Sequence, residues 1–266
     1  MNKPIIRRIH SLLLLGLLAV LGGRKIEWGQ SPALPVAEPE NQGLKKIDEA
    51  IAALGGNAYL SVQDITLSGR GYRIFNGSTS GAAVLVDYIK YPDKERLELG
   101  KKKESILIYN GARGWEIDFR GAHPMVADQM ESYLLTQKYL IDRILRLDLK
   151  AKKYRAYYEG TEYAEATKYD VIILEDSNRE KMSLLLNAST HLPVALRYRL
   201  VDPKTKGVDK MEAWYTNFRS VQGVMTPFHR ERIRNGERIS ETFVSEVKYN
   251  SGLQENLFIA QGGESK

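Results

Sequence analysis

The four histidines are the first residues to examine for chemistry, and their spacing offers none. His10 falls in an N-terminal apolar stretch, while His123, His191 and His229 lie in three separate elements with no HExxH spacing. His123 precedes Pro124 and His191 sits near Pro193, so both read as turn residues, and His229 falls on a polar strand face. No metal site is expected. The chain contains no cysteine, which excludes a disulfide, a thiolate centre and a lipid-modified cysteine. Carboxylates are plentiful, yet Glu231, Glu241 and Glu246 are expected to face arginines or solvent rather than pair for acid–base work. Gly69-Arg70-Gly71 and Gly111-Ala112-Arg113-Gly114 suit hairpins rather than phosphate loops, and no G-x-S-x-G elbow or dinucleotide fingerprint occurs. Asn76-Gly77-Ser78 and Asn187-Ala188-Ser189 match the glycosylation triplet but are ordinary turn sequences. Neither an enzyme nor a cofactor is expected. The remaining candidates are apolar: Trp115, Tyr198, Trp214, Phe228 and Phe243, all at strand positions.

These residues need a sheet to position them. From residue 169 to 249 the chain alternates with period two between short turns. Asn235-Gly236 between two long alternating runs predicts a tight hairpin, because both turn positions favour positive φ. The simplest register sets Arg234 opposite Glu237, Arg230 opposite Glu241, Phe228 opposite Phe243 and Val224 opposite Val247. That face is apolar at depth and ion-paired near the tip, and the other carries His229, Glu231, Arg238, Ser240, Thr242 and Glu246. Further strands are predicted at 59–67, 71–75, 82–89, 96–99, 105–109 and 115–119, then at 169–174, 181–186, 194–201 and 211–218.

Two helices interrupt the pattern. Residues 44–54 carry Leu44, Ile47, Ile51 and Leu54 at helical spacing and stop at Gly55-Gly56. Residues 127–147 place Met130, Leu134, Ile141 and Leu145 on one stripe. The fold class is therefore α+β and mainly β: around a dozen antiparallel strands in a large curved sheet, or open barrel, with helices packed into its concave side. Met182, Leu184, Leu186, Val194, Leu196, Tyr198 and Leu200 would line that face, either packed solidly or around an apolar cavity. Polar residues clustered inside it would mark an enzyme, and the sequence reveals no such cluster.

The N-terminus reads as an export signal, with Lys3, Arg7 and Arg8 before the apolar run 12–21 and a Pro/Ala-rich stretch ending at Ala37. That run is shorter than the roughly 20 residues needed to span a bilayer, and an uncleaved anchor is the alternative. Residues 1–37 are thus signal and lead-in, and 38–266 one domain, periplasmic once exported. Formal charge is +6, from 39 basic and 33 acidic residues. Residues 1–37 hold five of the former and one of the latter, which leaves 34 against 32, or +2, and argues against a nucleic-acid partner.

Two stretches resemble the LolA/LolB-type carriers of bacterial lipoproteins. Ile89-Lys90-Tyr91-Pro92-Asp93 leads into a strand, the turn Asn110-Gly111 and then Trp115; Asn187 to Pro193 is followed by the segment from Trp214 to Pro227. The order of elements agrees from Leu44 to Phe258. The resemblance implies an eleven-stranded unclosed barrel with a helical lid, whose cavity shelters acyl chains of a lipoprotein or phospholipid. It also implies membrane-bound donor and acceptor proteins and a monomeric carrier. Ligand-binding residues on this reading are Trp115, Leu134, Ile141, Leu184, Leu196, Tyr198, Phe228 and Phe243. In the carriers an arginine before the proline commonly latches lid to barrel; here that residue is Tyr91, the latch candidate, with Lys90 on the other strand face. A sensor or interaction module of the same fold, reading lipoproteins or a protein partner, is the alternative.

Overall fold

The computed structural model describes residues 39–164, 166–201 and 206–260, so the leader lies outside the described residues. Helices α1 (Pro39–Leu54) and α2 (Asn57–Leu60) precede six strands: β1 (Asp64–Phe75), β2 (Ser78–Lys90), β3 (Lys94–Leu99), β4 (Ser105–Asn110), β5 (Arg113–Asp118) and β6 (Gly121–Pro124). A crossing segment follows, made of α3 (Ala127–Gln137), α4 (Ile141–Arg143) and a π-helical turn, Ile144–Asp148. The second run is β7 (Tyr154–Ala164), β8 (Thr167–Asp176), β9 (Lys181–Asn187), β10 (Pro193–Val201), β11 (Val208–Val221), β12 (Val224–Arg234) and β13 (Glu237–Tyr249). Among the described residues no helix is long and apolar enough to cross a membrane.

Among the described residues all strands join one antiparallel sheet of thirteen, ordered β6-β5-β4-β3-β2-β1-β13-β12-β11-β10-β9-β8-β7. Each run is a meander, and the pairing of β1 with β13 joins them. The edges β6 and β7 do not pair, so the barrel is unclosed, as expected. The expected number of strands differs for local reasons. Ser68-Gly69 is a bulge within β1 rather than a turn, Tyr59 belongs to α2, and β6 and β7 add two strands. The helix expected over 127–147 is broken at residues 138–140.

Inner-face side chains meet the helices in one core: Ile65 and Leu67 of β1, Ile172 and Leu174 of β8, Leu184 and Leu186 of β9, and Leu196 of β10 pack with Ile47, Ala50 and Leu54 of α1. Helix α1 buries Gly43, and a Cβ there would lie 2.4 Å from the Ala156 carbonyl oxygen of β7, so only glycine permits this approach. A second core lies on the outer face, where Phe258 and Ala260 cover Ile108. Asp64 ties down the chain that leads there. Its Oδ1 accepts from the amide of Ser251 (2.7 Å) and its Oδ2 from that of Gly252 (3.0 Å).

The β12–β13 hairpin begins as expected, with Arg234 opposite Glu237, but Ile233 then pairs with Arg238 and Arg232 with Ser240. Ile239 is therefore an extra residue, and the bulge exchanges the faces of the residues beyond it. His229 lies opposite Phe243, Arg230 opposite Thr242 and Glu231 opposite Glu241. A second bulge against β1, at Ser245, restores parity, so Val247 returns to the inner face.

Candidate functional site

A cavity of about 250 Å³ separates the inner face from the crossing segment. Its apolar wall is Leu54 of α1, Ile65 and Leu67 of β1, Val224 of β12, Val247 of β13 and Ile141 of α4. Alternate residues of each strand supply this wall because the pleat sends every second side chain inward.

The corner between β2 and β3 holds one end of the crossing segment. The Arg143 guanidinium donates to the Pro92 carbonyl (2.8 Å), and Arg146 lies over the Tyr59 ring at 3.9 Å and the Tyr91 ring at 5.5 Å. Asp142 accepts the Tyr59 hydroxyl at 2.9 Å and stands 3.7 Å from Arg146 Nε. Burial pushes the Tyr91 and Tyr59 phenols well up, and the Asp142 charge adds to this, so both rings stay neutral. Arg146 is almost fully buried, and its Nε and Nη1 lack hydrogen-bond partners; ring faces and one carboxylate compensate its charge. At the other side, Lys138 after α3 donates to Asp176 (2.9 Å) and Glu180 beside the β8–β9 turn. Between these anchors Tyr133 of α3 stacks on Tyr109 of β4, with centroids 3.5 Å apart. Lys90, one residue before Tyr91, instead binds the Leu253 carbonyl and Glu255 of the C-terminal segment (2.8 and 2.7 Å).

The cavity also has a charged wall that the sequence did not reveal: Asp87 of β2, Glu95 of β3, and Arg230 and Arg232 of β12. Arg230 was expected to pair with Glu241. The Ile239 bulge carries Glu241 to the outer face, where it meets His229 Nε2 at 2.9 Å and Arg238 at 3.1 Å, and Arg230 remains inside. Arg230 Nε and Asp87 Oδ1 are both enclosed and both lack a hydrogen-bond partner. Burial pushes the Asp87 carboxyl well above its ordinary range, nearby Glu95 adds to this, and Arg230 only partly opposes it. Burial likewise raises Glu95, against hydrogen bonds from Tyr133 and Gln137. Among the described residues the cavity lining includes no histidine or serine and so no nucleophile–base pair of that kind.

The sequence candidates divide sharply. Tyr91 and Ile141 border the cavity. Leu184, Leu196 and Phe228 are inner-face core residues that pack solidly, and Tyr198 packs beside them, stacked on Tyr139 at 3.8 Å. Three expectations are corrected. Trp115 pairs with Ile108 and lies on the outer face under the C-terminal segment, because the inner parity of β5 belongs to its neighbours. Phe243 is turned outward by the Ile239 bulge, 45% exposed and stacked on His229. Leu134 is 49% exposed and borders a separate cleft, because the helix turns its stripe away beyond Met130. His229, Glu231 and Glu241 bring potential metal-ligand atoms within 4.8 Å of one another on the outer face, but Arg238 occupies the cation position, 3.1 Å from both carboxylates.

An unclosed antiparallel barrel, with helices crossing its open side over an interior cavity, is the LolA-like fold. Three solved structures carry the likeness. A DUF1329 family protein from Desulfovibrio piger aligns with a TM-score of 0.59 and 13% identity over 85% of this chain and 99% of its own. A domain described as an outer membrane lipoprotein-sorting protein, from Vibrio parahaemolyticus, gives 0.57 and 11% over 82% and 97%. A LolA superfamily protein from Nitrosomonas europaea gives 0.54 and 15% over 85% and 99%. No family model and no curated protein matches the sequence.

Proposed function

We propose that this chain is an exported, periplasmic carrier or binding protein, not an enzyme, whose single domain after the leader shelters an acyl chain of a lipid or lipoprotein. The observation that carries this reading is the cavity between the sheet and a segment anchored mainly at its two sides. Each methylene buried there contributes about 0.8 kcal/mol, so an apolar chain gains affinity without a polar constellation. The likeness to a domain described as lipoprotein-sorting supports the same class of cargo. Delivery to and from membrane-bound donor and acceptor proteins, by a monomeric carrier, is the working cycle this reading implies. Tyr91 is its latch: the crossing segment opens when Arg143 and Arg146 leave the Tyr91–Pro92 corner.

Mass spectrometry of organic extracts from protein purified without detergent tests the reading. A stoichiometric acyl lipid or lipopeptide is expected. A clean extract, together with no displaceable binding of an apolar fluorescent probe, overturns it.

A further inference from the structure

The charged wall of the cavity separates this site from a purely apolar one. Arg230 and Arg232 both face the cavity, and a guanidinium stays protonated at any physiological pH. Their carboxyl neighbours behave differently. Asp87 and Glu95 are driven towards their neutral forms by burial, and Glu95 already accepts from Gln137 at 3.2 Å. Arg143 and Arg146 of the crossing segment each have a carboxylate beside them, Asp148 at 3.6 Å and Asp142 at 3.7 Å. Burial thus weakens the negative charge that faces the fixed positive charge of the β12 arginines, which favours entry of an anionic group.

The free atoms indicate what would enter. Arg230 Nε–H is an unused donor, and Asp87 Oδ1 is an enclosed oxygen that becomes an O–H donor when protonated. Two donors facing one cavity suit a single anionic group. An inorganic ion would satisfy them but would leave the apolar lining of Leu54, Ile65, Leu67, Val224 and Val247 without a partner. The volume of about 250 Å³ lies below the roughly 300–1,000 Å³ usual for ligand pockets, so several chains cannot share it.

We propose that the cavity takes a single-chain amphiphile with an anionic head, a carboxylate or a phosphate, held by Arg230 and Asp87 while its tail lies along Leu67, Val224 and Val247. This rests on the carrier reading and narrows it: the preferred cargo is a fatty-acid-like or lysophospholipid-like molecule rather than a multiply acylated one.

The test is displacement of an apolar fluorescent probe from the purified, detergent-free protein by palmitate, a lysophosphatidylglycerol, hexadecanol and a diacyl phosphatidylglycerol. Palmitate and the lysophospholipid are expected to bind at least about tenfold more tightly than hexadecanol, the usual effect of one charge-assisted hydrogen bond, and the diacyl lipid more weakly than either. A preference for only one anionic head assigns the site to carboxylate or to phosphate. Arg230→Gln should erase the preference while hexadecanol binding persists, and Arg230→Lys should restore part of it. Equal binding of charged and neutral chains by the unaltered protein overturns the head-group proposal and leaves the carrier reading standing. No binding of any chain overturns both. The comparison of heads on the unaltered protein needs no variant, so a folding defect in Arg230→Gln leaves the test decisive.

Discussion

The guanidinium of Arg146 lies 5.5 Å from the centroid of the Tyr91 ring, which places a buried cation of the crossing segment against a partly buried aromatic of the sheet corner. Where the resemblance implies an arginine on the barrel, this chain has the ring there and arginines on the facing segment. Arg143 of the same segment adds a hydrogen bond to the next residue, Pro92.

Arg146→Ala should therefore loosen the segment. It removes cation–π contacts to two rings, worth roughly 0.5–2 kcal/mol each, and leaves Asp142 with Tyr59 as its remaining partner. Amide exchange across 141–148 is expected to accelerate while the β12 amides stay protected. Tyr91→Phe should behave as the unaltered chain, because the ring face makes the contact, and Tyr91→Ala should resemble Arg146→Ala. Unchanged exchange and unchanged probe release in Tyr91→Ala removes the latch role.

Phe228 and Phe243 distinguish the bulged hairpin from the regular one. In a regular register both face inward; in the structure Phe228 is 7% exposed in the core and Phe243 is 45% exposed outside. Phe228→Ala should cost roughly 3–5 kcal/mol in urea unfolding, and Phe243→Ala under about 1 kcal/mol. Equal costs would restore the regular register.

That pair also shows where the sequence stops being informative. Period-two alternation and the Asn235-Gly236 turn were enough to identify the sheet and the hairpin, because each is set by local chemistry, whereas the unclosed barrel was implied by the resemblance. A bulge is one extra residue with no compositional mark, yet Ile239 exchanges the faces of the residues from there to the second bulge at Ser245. The apolar members of the site were therefore recognisable as a class but not assignable one by one, as Trp115 and Phe243 illustrate. The charged wall stayed hidden for the same reason, since Arg230 seemed neutralised by a glutamate that lies on the outer face.

Helix α1 depends on Gly43 for its distance from β7. A methyl group at that position would lie 2.4 Å from the Ala156 carbonyl oxygen, which is backbone and cannot swing aside. Gly43→Ala should displace the helix and cost about 1–3 kcal/mol, despite the better helix propensity of alanine. Thermal unfolding decides it: a rise in Tm would mean that α1 is not held so closely.

Asp87 makes stability depend on pH in the direction opposite to that of a salt-bridged carboxylate. Its folded pKa is raised, by burial first and Glu95 second, with Arg230 opposing, so the folded state binds more protons than the unfolded state above the unfolded value of about 3.9. The stability this group contributes is thus fully present below that value and is lost as pH rises towards its folded pKa. Asp87→Asn keeps the shape and removes the ionisation. The variant and the unaltered protein should melt with nearly the same Tm near pH 4, and the variant should gain an advantage that grows through neutral pH. A constant difference across that range would mean that Asp87 is not buried away from water, and the unpaired donors of the cavity would then be solvated rather than waiting for an anion.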